Sequence, residues 1–361
     1  MSVQISYKKQ FTIGLVLILI FFIILEISIR PYDYYFPNCQ LMRSDAFSDI
    51  EINLQREICY SFYYLKTFDD PPRYQPNQHY GDVININSDG FRGPELKNDE
   101  ETYRIFFVGG STAIGLGSTS DLTTIPGHLQ SFFDKQNNTF TVEVVNAGIS
   151  GSNSFVESNY VKNKIINFNP DLIIVYDGWN DIMLNYDFYY SDSLINTPLH
   201  SMFEFAMNNE YVKLLEIIVR NYTIWRHDTT DRDFDGSFID EKTHSWKKTW
   251  DGICEYGKQN NFDVIITLQP VLGSSNKELS NFEKFSFKKY DMEDLLSYYD
   301  KYANELSNFN SCKNTMDLRN VFDDVKRPLF FDGVHINDYG NKLVAKKIFD
   351  ETKNFIQQKN L

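Results

Sequence analysis

The sequence predicts an α/β protein of three layers, with a flavodoxin-like parallel sheet between helices, preceded by one N-terminal transmembrane helix. Three observations carry that expectation. From Tyr103 onward, short β-branched and aromatic runs alternate with stretches of helical periodicity, as in a parallel sheet with crossover helices. Glycines and small polar residues follow the runs, at the strand ends where open α/β sheets bind ligands. Phe11 to Ile29 is apolar all round, with Glu26 as its one charge. A chain of 361 residues, 42% of them hydrophobic, can hold one large domain plus an appendage.

The first ten residues read as a cytoplasmic tail. Residues 11–29 then form a helix long enough for a hydrocarbon core of about 30 Å. A buried soluble helix would show a polar face, and a cleaved signal would show a small-residue site after the apolar run. Ile29-Arg30-Pro31 offers neither, so the reading is an uncleaved anchor. Lys8 and Lys9 precede the span, which places the N-terminus in the cytoplasm and the body outside it. The expected location is therefore a cell membrane, crossed once. Four cysteines lie on the outer side: Cys39, Cys59, Cys254 and Cys312. An oxidising compartment allows three pairings; locality favours Cys39–Cys59 with Cys254–Cys312, and four buried thiols are the alternative.

Residues 31–100 read as an extracytoplasmic preface and 101–361 as the main domain. Val83 to Glu95 alternates like a strand and then turns at Gly90-Phe91-Arg92-Gly93. Packing on the domain is the reading for this segment; a contribution of Arg92 to a site is the alternative. Strands are expected at Arg104–Val108, Thr141–Val145, Leu172–Tyr176, Phe262–Leu268 and Thr315–Val321, from their β-branched and aromatic content. Helices are expected at Ile125–Asp134, Phe155–Phe168, Met292–Leu306 and Tyr339–Gln358. Residues 183–245 break this rhythm with a long stretch rich in Tyr, Phe, Asp and Asn. Connections of that length are functional or irregular. The stretch reads either as a cap offering aromatic faces to a sugar or as plain helical packing.

Four short blocks sit just past these runs: Gly109-Gly110-Ser111-Thr112, Asn146 to Gly151, Gly178-Trp179-Asn180-Asp181, and Phe331-Asp332-Gly333-Val334-His335. In this order they resemble the blocks of the SGNH (GDSL-type) hydrolase superfamily, over Tyr103 to the C-terminus. The resemblance implies the SGNH fold and a serine esterase. Ser111 would be the nucleophile, His335 the general base and Asp332 the residue that orients it. The backbone N–H groups of Ser111 and Gly151 and the side-chain amide of Asn180 would form the oxyanion hole. The chemistry suits these types: acyl transfer needs a nucleophile, a base, an orienting group and uncharged donors for the developing oxyanion. The commonest first block has Asp before the serine, where this chain has Gly110.

With the site outside the cytoplasm, the expected substrates are acyl esters, either O-acyl groups of glycans or lipids. An O-acyltransferase would use the same residues, and a catalytically silent glycan-binding or envelope-assembly protein is the reading from another class. Other partners are excluded by composition. With 35 basic and 49 acidic side chains, a net charge of −14, the chain lacks the basic excess that nucleic acids demand. No cofactor or metal is expected: the glycines at 109, 110, 115 and 117 match neither a phosphate loop nor a dinucleotide fingerprint. No His, Cys and carboxylate cluster has zinc spacing, and His79, His128, His200, His227 and His244 lack a partner like Asp332.

Overall fold

The computed structural model describes residues 6–35, 39–65, 67–69, 72–97, 101–136, 140–183, 213–215, 217–218 and 236–358. The chain divides into two compact units, Met1–Cys39 with Tyr189–Asp233, and Gln40–Phe188 with Phe234–Leu361.

In the first unit, helix α1 (Tyr7–Tyr35) contains the apolar run and continues past it through Pro31. It is long and apolar enough to cross a membrane, and its apolar window buries nothing within the protein. The one acid of the run has partners. Glu26 accepts the backbone N–H groups of Lys213 and Leu214 at 2.7 and 2.8 Å, and Arg30 reaches it at 2.7 Å. Lys213 Nζ lies 3.3 Å from Asp33.

The second unit is built on a parallel sheet of five strands: β5 (Tyr103–Gly109), β6 (Val142–Asn146), β7 (Leu172–Asp177), β8 (Asp263–Leu268) and β9 (Asn314–Asp317). Their order across the sheet is β6-β5-β7-β8-β9, every pair parallel. The first strand in sequence thus lies between the second and third, and the crossovers diverge there. That divergence opens a crevice at the carboxyl ends of the strands. The sheet is two-sided: Leu172–Asp177 is buried at every position, because helices cover both faces. The five expected strands are present, with bounds shifted by a few residues; the last is shorter than expected.

Two short antiparallel hairpins precede the sheet, β1 (Thr67–Asp69) with β2 (Pro72–Tyr74) and β3 (Gln78–Tyr80) with β4 (Ile84–Ile86). Ile86 and Arg92 form a bridge, and Arg92 forms another with Asn146 at the end of β6. The preface is therefore continuous with the sheet.

The helix expected at Phe155–Phe168 is two pieces, Ser154–Asn163 and a 3₁₀ turn Ile165–Phe168. Asn153 caps its start by accepting the Val156 N–H, and Asn169 ends the turn at φ +49°. Two helices stand where no element was expected, Ile52–Tyr64 and Asn281–Lys289. A third, Ile239–Gln259, begins inside the stretch expected as a cap. Its Trp246 and Trp250 are fully buried, one turn apart and so on one face. Of the rest of that stretch, residues 184–212, 216 and 219–235 lie outside the described residues. Cys254 on this helix is bonded to Cys312, with 4.8 Å between their Cα atoms. Cys39 and Cys59 are each disulfide-bonded too.

Candidate functional site

Ser111 is the first residue of a one-turn helix, Ser111–Ile114, that follows β5 directly. The first N–H groups of a helix have no partner within it, so the Ser111 N–H points out of the turn. Gly109 makes the crossing feasible, since a Cβ there would collide with the Tyr176 carbonyl oxygen on the neighbouring strand. The loop after the helix is tied to the C-terminal helix Asp338–Gln358. Asp338 accepts the Thr119 backbone N–H at 3.0 Å, and Asn341 donates to Ser118 Oγ at 3.0 Å.

Those ties bring the first and last blocks together. His335 Nε2 lies 2.7 Å from Ser111 Oγ, and His335 Nδ1 lies 2.7 Å from Asp332 Oδ2. The other Asp332 oxygen accepts the backbone N–H groups of Val334 and His335 at 2.9 and 2.7 Å. Burial alone would raise the Asp332 carboxyl. The charge of His335 and these hydrogen bonds outweigh it and hold the group below the usual carboxylate range. Phe331 stacks on the imidazole with ring centroids 5.5 Å apart, and Phe47 packs edge-on against Phe331.

Asn180 is the second residue of the short helix after β7, Trp179–Met183, and its Nδ2 donates to the Ser152 carbonyl at 2.5 Å. A primary amide has a second N–H, which this bond leaves uncommitted. Ser152 follows Gly151, so the same bond ties Gly151's turn to Asn180. Gly110 lies beneath them: a Cβ there would stand 2.5 Å from Asn180 Nδ2 and 3.4 Å from the Ser152 carbonyl oxygen. Ser111, Gly151 and Asn180 follow strands β5, β6 and β7, and Asp332 and His335 lie in the connection between β9 and the C-terminal helix. The geometry links Ser111, His335 and Asp332 in one line and Asn180 with the Gly151 turn.

Several supports escaped the sequence reading. Asp181 accepts the Ser154 N–H at 2.9 Å and also its hydroxyl, stitching the second block to the third. Asp177 accepts the indole N–H groups of Trp246 and Trp250, each at 3.0 Å. Under the last block, the buried Glu283 accepts the backbone N–H groups of Leu329 and Phe330 at 2.9 and 3.1 Å and pairs with Lys277 at 2.6 Å. The preface joins in, with Ser44 donating to the Phe330 carbonyl and Asn337 to the Ala46 carbonyl. Only the Ser280-x-x-Glu283 capping box was readable in advance; its contact to Leu329 is long-range and leaves no local pattern. Among the described residues, no group of His, Cys, Asp and Glu could hold a metal ion.

A parallel α/β sheet whose strand ends present a serine, an imidazole and a carboxylate in hydrogen-bonded line has the architecture of a serine hydrolase. Residues 105–348 match the model of the GDSL-like lipase/acylhydrolase family, and the chain belongs to that family. It is an SGNH-type serine hydrolase that acts on ester bonds. Among solved structures it is similar to an acetyl xylan esterase, AlAXEase, at 15% identity and TM-score 0.42, over 69% of this chain and 99% of that one. An acetylxylan esterase from Geobacillus stearothermophilus has 15% identity and TM-score 0.40, over 69% and 93%. A two-domain esterase active on acetylated mannans has 15% identity and TM-score 0.39, over 69% of this chain and 49% of that one. No curated protein matches the chain.

Proposed function

We propose that the protein is a membrane-anchored serine esterase that works outside the cytoplasm on O-acyl groups of glycans. The observation that carries the mechanism is the Asp332–His335–Ser111 line, with 2.7 Å at each step. Ser111 Oγ attacks the ester carbonyl carbon while its proton passes to His335 Nε2. Asp332 holds the ring in the tautomer that leaves Nε2 free to accept and stabilises the imidazolium that forms. The oxyanion is met by the backbone N–H groups of Ser111 and Gly151 and by the Asn180 amide, each donor worth about 2.7–4 kcal/mol of barrier. When the tetrahedral intermediate collapses, the C–O bond to the alcohol breaks and His335 gives the alcohol its proton. Water, deprotonated by His335, then attacks the acyl-enzyme; the C–Oγ bond breaks, His335 returns its proton to Ser111 Oγ, and the acid leaves.

The glycan assignment is supported by the aromatic stretch within 183–245, since sugars pack on aromatic faces. The anchor is supported by the apolar helix Tyr7–Tyr35 and by Lys8 and Lys9 before it. The Cys254–Cys312 bond fits an oxidising compartment.

Treating the detergent-solubilised protein with a short-chain aryl ester and a fluorophosphonate tests the mechanism. Ester hydrolysis and phosphonate labelling at Ser111 are expected, and acetylated oligosaccharides should release acetate. Hydrolysis that survives in Ser111→Ala would refute the acyl-enzyme. Labelling and aryl-ester hydrolysis without activity on any acetylated oligosaccharide would leave the mechanism standing and remove the glycan.

A further inference from the structure

We propose that Arg92, from the preface, is a positioning residue that fixes the one-turn helix carrying Ser111. The inference rests on the reading of Ser111 as nucleophile. Arg92 is buried, its side chain 1% exposed, and a buried guanidinium must satisfy its N–H groups within the protein. Nε donates to Asp121 Oδ1 at 2.7 Å, and Nη2 to the Val83 carbonyl at 2.7 Å. Nη1 donates to the carbonyls of Ile114 and Gly115, at 2.8 and 3.0 Å. Those two carbonyls close the turn that begins at Ser111.

A helix of four residues cannot hold itself. Nucleation is unfavourable, and its last carbonyls have no partner inside it. Here the partners come from outside. Asn146 Nδ2 joins Arg92 on the Ile114 carbonyl at 3.1 Å, and the Arg92 backbone N–H donates to the Asn146 carbonyl at 3.2 Å. Asp121 is fixed in turn by the Asn85 backbone N–H at 3.2 Å. The guanidinium therefore reaches three directions at once, to Asp121, to Val83 and to the end of the Ser111 turn. A lysine has one ammonium on a flexible stem and lacks that fork. Removing the clamp lets Ser111 Oγ drift from His335 Nε2, and a displacement near 1 Å costs about 10²-fold in rate.

The test uses the full-length, detergent-solubilised protein as wild type, Arg92→Lys, and the double variant Arg92→Met/Asp121→Asn, which avoids leaving a buried charge unpaired. Three quantities are measured: the fluorophosphonate labelling rate of Ser111, the kcat and KM for an aryl ester, and the thermal unfolding midpoint. Wild type is expected to label at Ser111. Both variants should fold, lose about 10²-fold in labelling rate and kcat, and keep KM within about threefold. A folded variant of either kind with wild-type labelling and kcat overturns the positioning role while leaving Ser111 as nucleophile. Failure of both variants to fold makes Arg92 a structural residue and also overturns it. A wild type that does not label at Ser111 removes the nucleophile, and this inference with it.

Discussion

Gly110 stands immediately before Ser111, and its surroundings give a reason for a residue without a side chain. The Asn180 amide lies where a side chain at position 110 would begin. Gly110→Asp must push that amide away from Ser152 and from the oxyanion it would stabilise. We expect kcat to fall by about 10²–10³, the cost of one oxyanion donor, with KM little changed; steady-state kinetics on an aryl ester decide it. A Gly110→Asp enzyme as fast as wild type would mean that Asn180 has room to move without penalty. The line of Ser111, His335 and Asp332 makes a second prediction. Ser111→Ala and His335→Ala should each nearly abolish turnover, and the double variant should be little worse, since residues acting as one unit are non-additive. Asp332→Asn should be severe but less complete, because it disturbs the tautomer and leaves the base in place. If the losses of Ser111→Ala and His335→Ala multiply, the two do not act as one unit.

At the scale of elements, the second and third blocks are held together by buried acids. Asp177, Asp181 and Glu157 are all at least 98% buried, and the Asp177 and Asp181 side chains hydrogen-bond to each other. Two carboxyl groups can do so only with a proton between them. Burial, and then the neighbouring Asp177, push Asp181 and Glu157 well above the carboxylate range. The native state therefore keeps protons that the unfolded chain releases above its carboxylate values near 4. Such groups give their full stability below that range and lose it as pH rises toward their folded values. Asp181→Asn mimics the neutral acid and carries no proton to lose. Its unfolding free energy, from urea titrations between about pH 4.5 and 8, should decline less with rising pH than that of wild type. An unchanged or steeper decline would show that Asp181 is ionised in the native protein.

At the scale of the molecule, the anchor and the disulfides belong to one prediction. If Tyr7–Tyr35 stays as a span with its N-terminus inside, protease added to intact cells should digest the body and spare an N-terminal tag. A protected body with an accessible tag would reverse the topology. Protein made in that compartment should carry the Cys254–Cys312 bond, which closes a sequence separation of 58 residues and is worth about 4 kcal/mol in the chain-entropy account. Mass mapping without reduction should find that pair, with Cys39 linked to Cys59. Free thiols at all four positions would place the body in a reducing compartment.

What the sequence determined by itself is local or periodic. The β-branched and aromatic runs marked five strands, because strand propensity acts over a few residues. Four short blocks singled out Ser111, Gly151, Asn180, Asp332 and His335 as candidates, through their resemblance to a family whose chemistry uses those types. The apolar run marked the helix Tyr7–Tyr35, which is long and apolar enough to cross a membrane, since the length of such a run is set by membrane thickness. Only the tertiary structure decided the rest. Glu283 under Leu329, Asp181 under Ser154, and Arg92 at the end of the Ser111 turn join residues far apart in the chain, and no spacing in one sequence records such pairs. The helix Ile239–Gln259 was hidden because Trp246 and Trp250 lie beside a stretch whose aromatic and polar content reads as irregular. Its burial depends on a sheet face and on Asp177, which folding alone brings to it. Gly110, an anomaly when read along the chain, is explained only once Asn180, seventy residues later, lies across it.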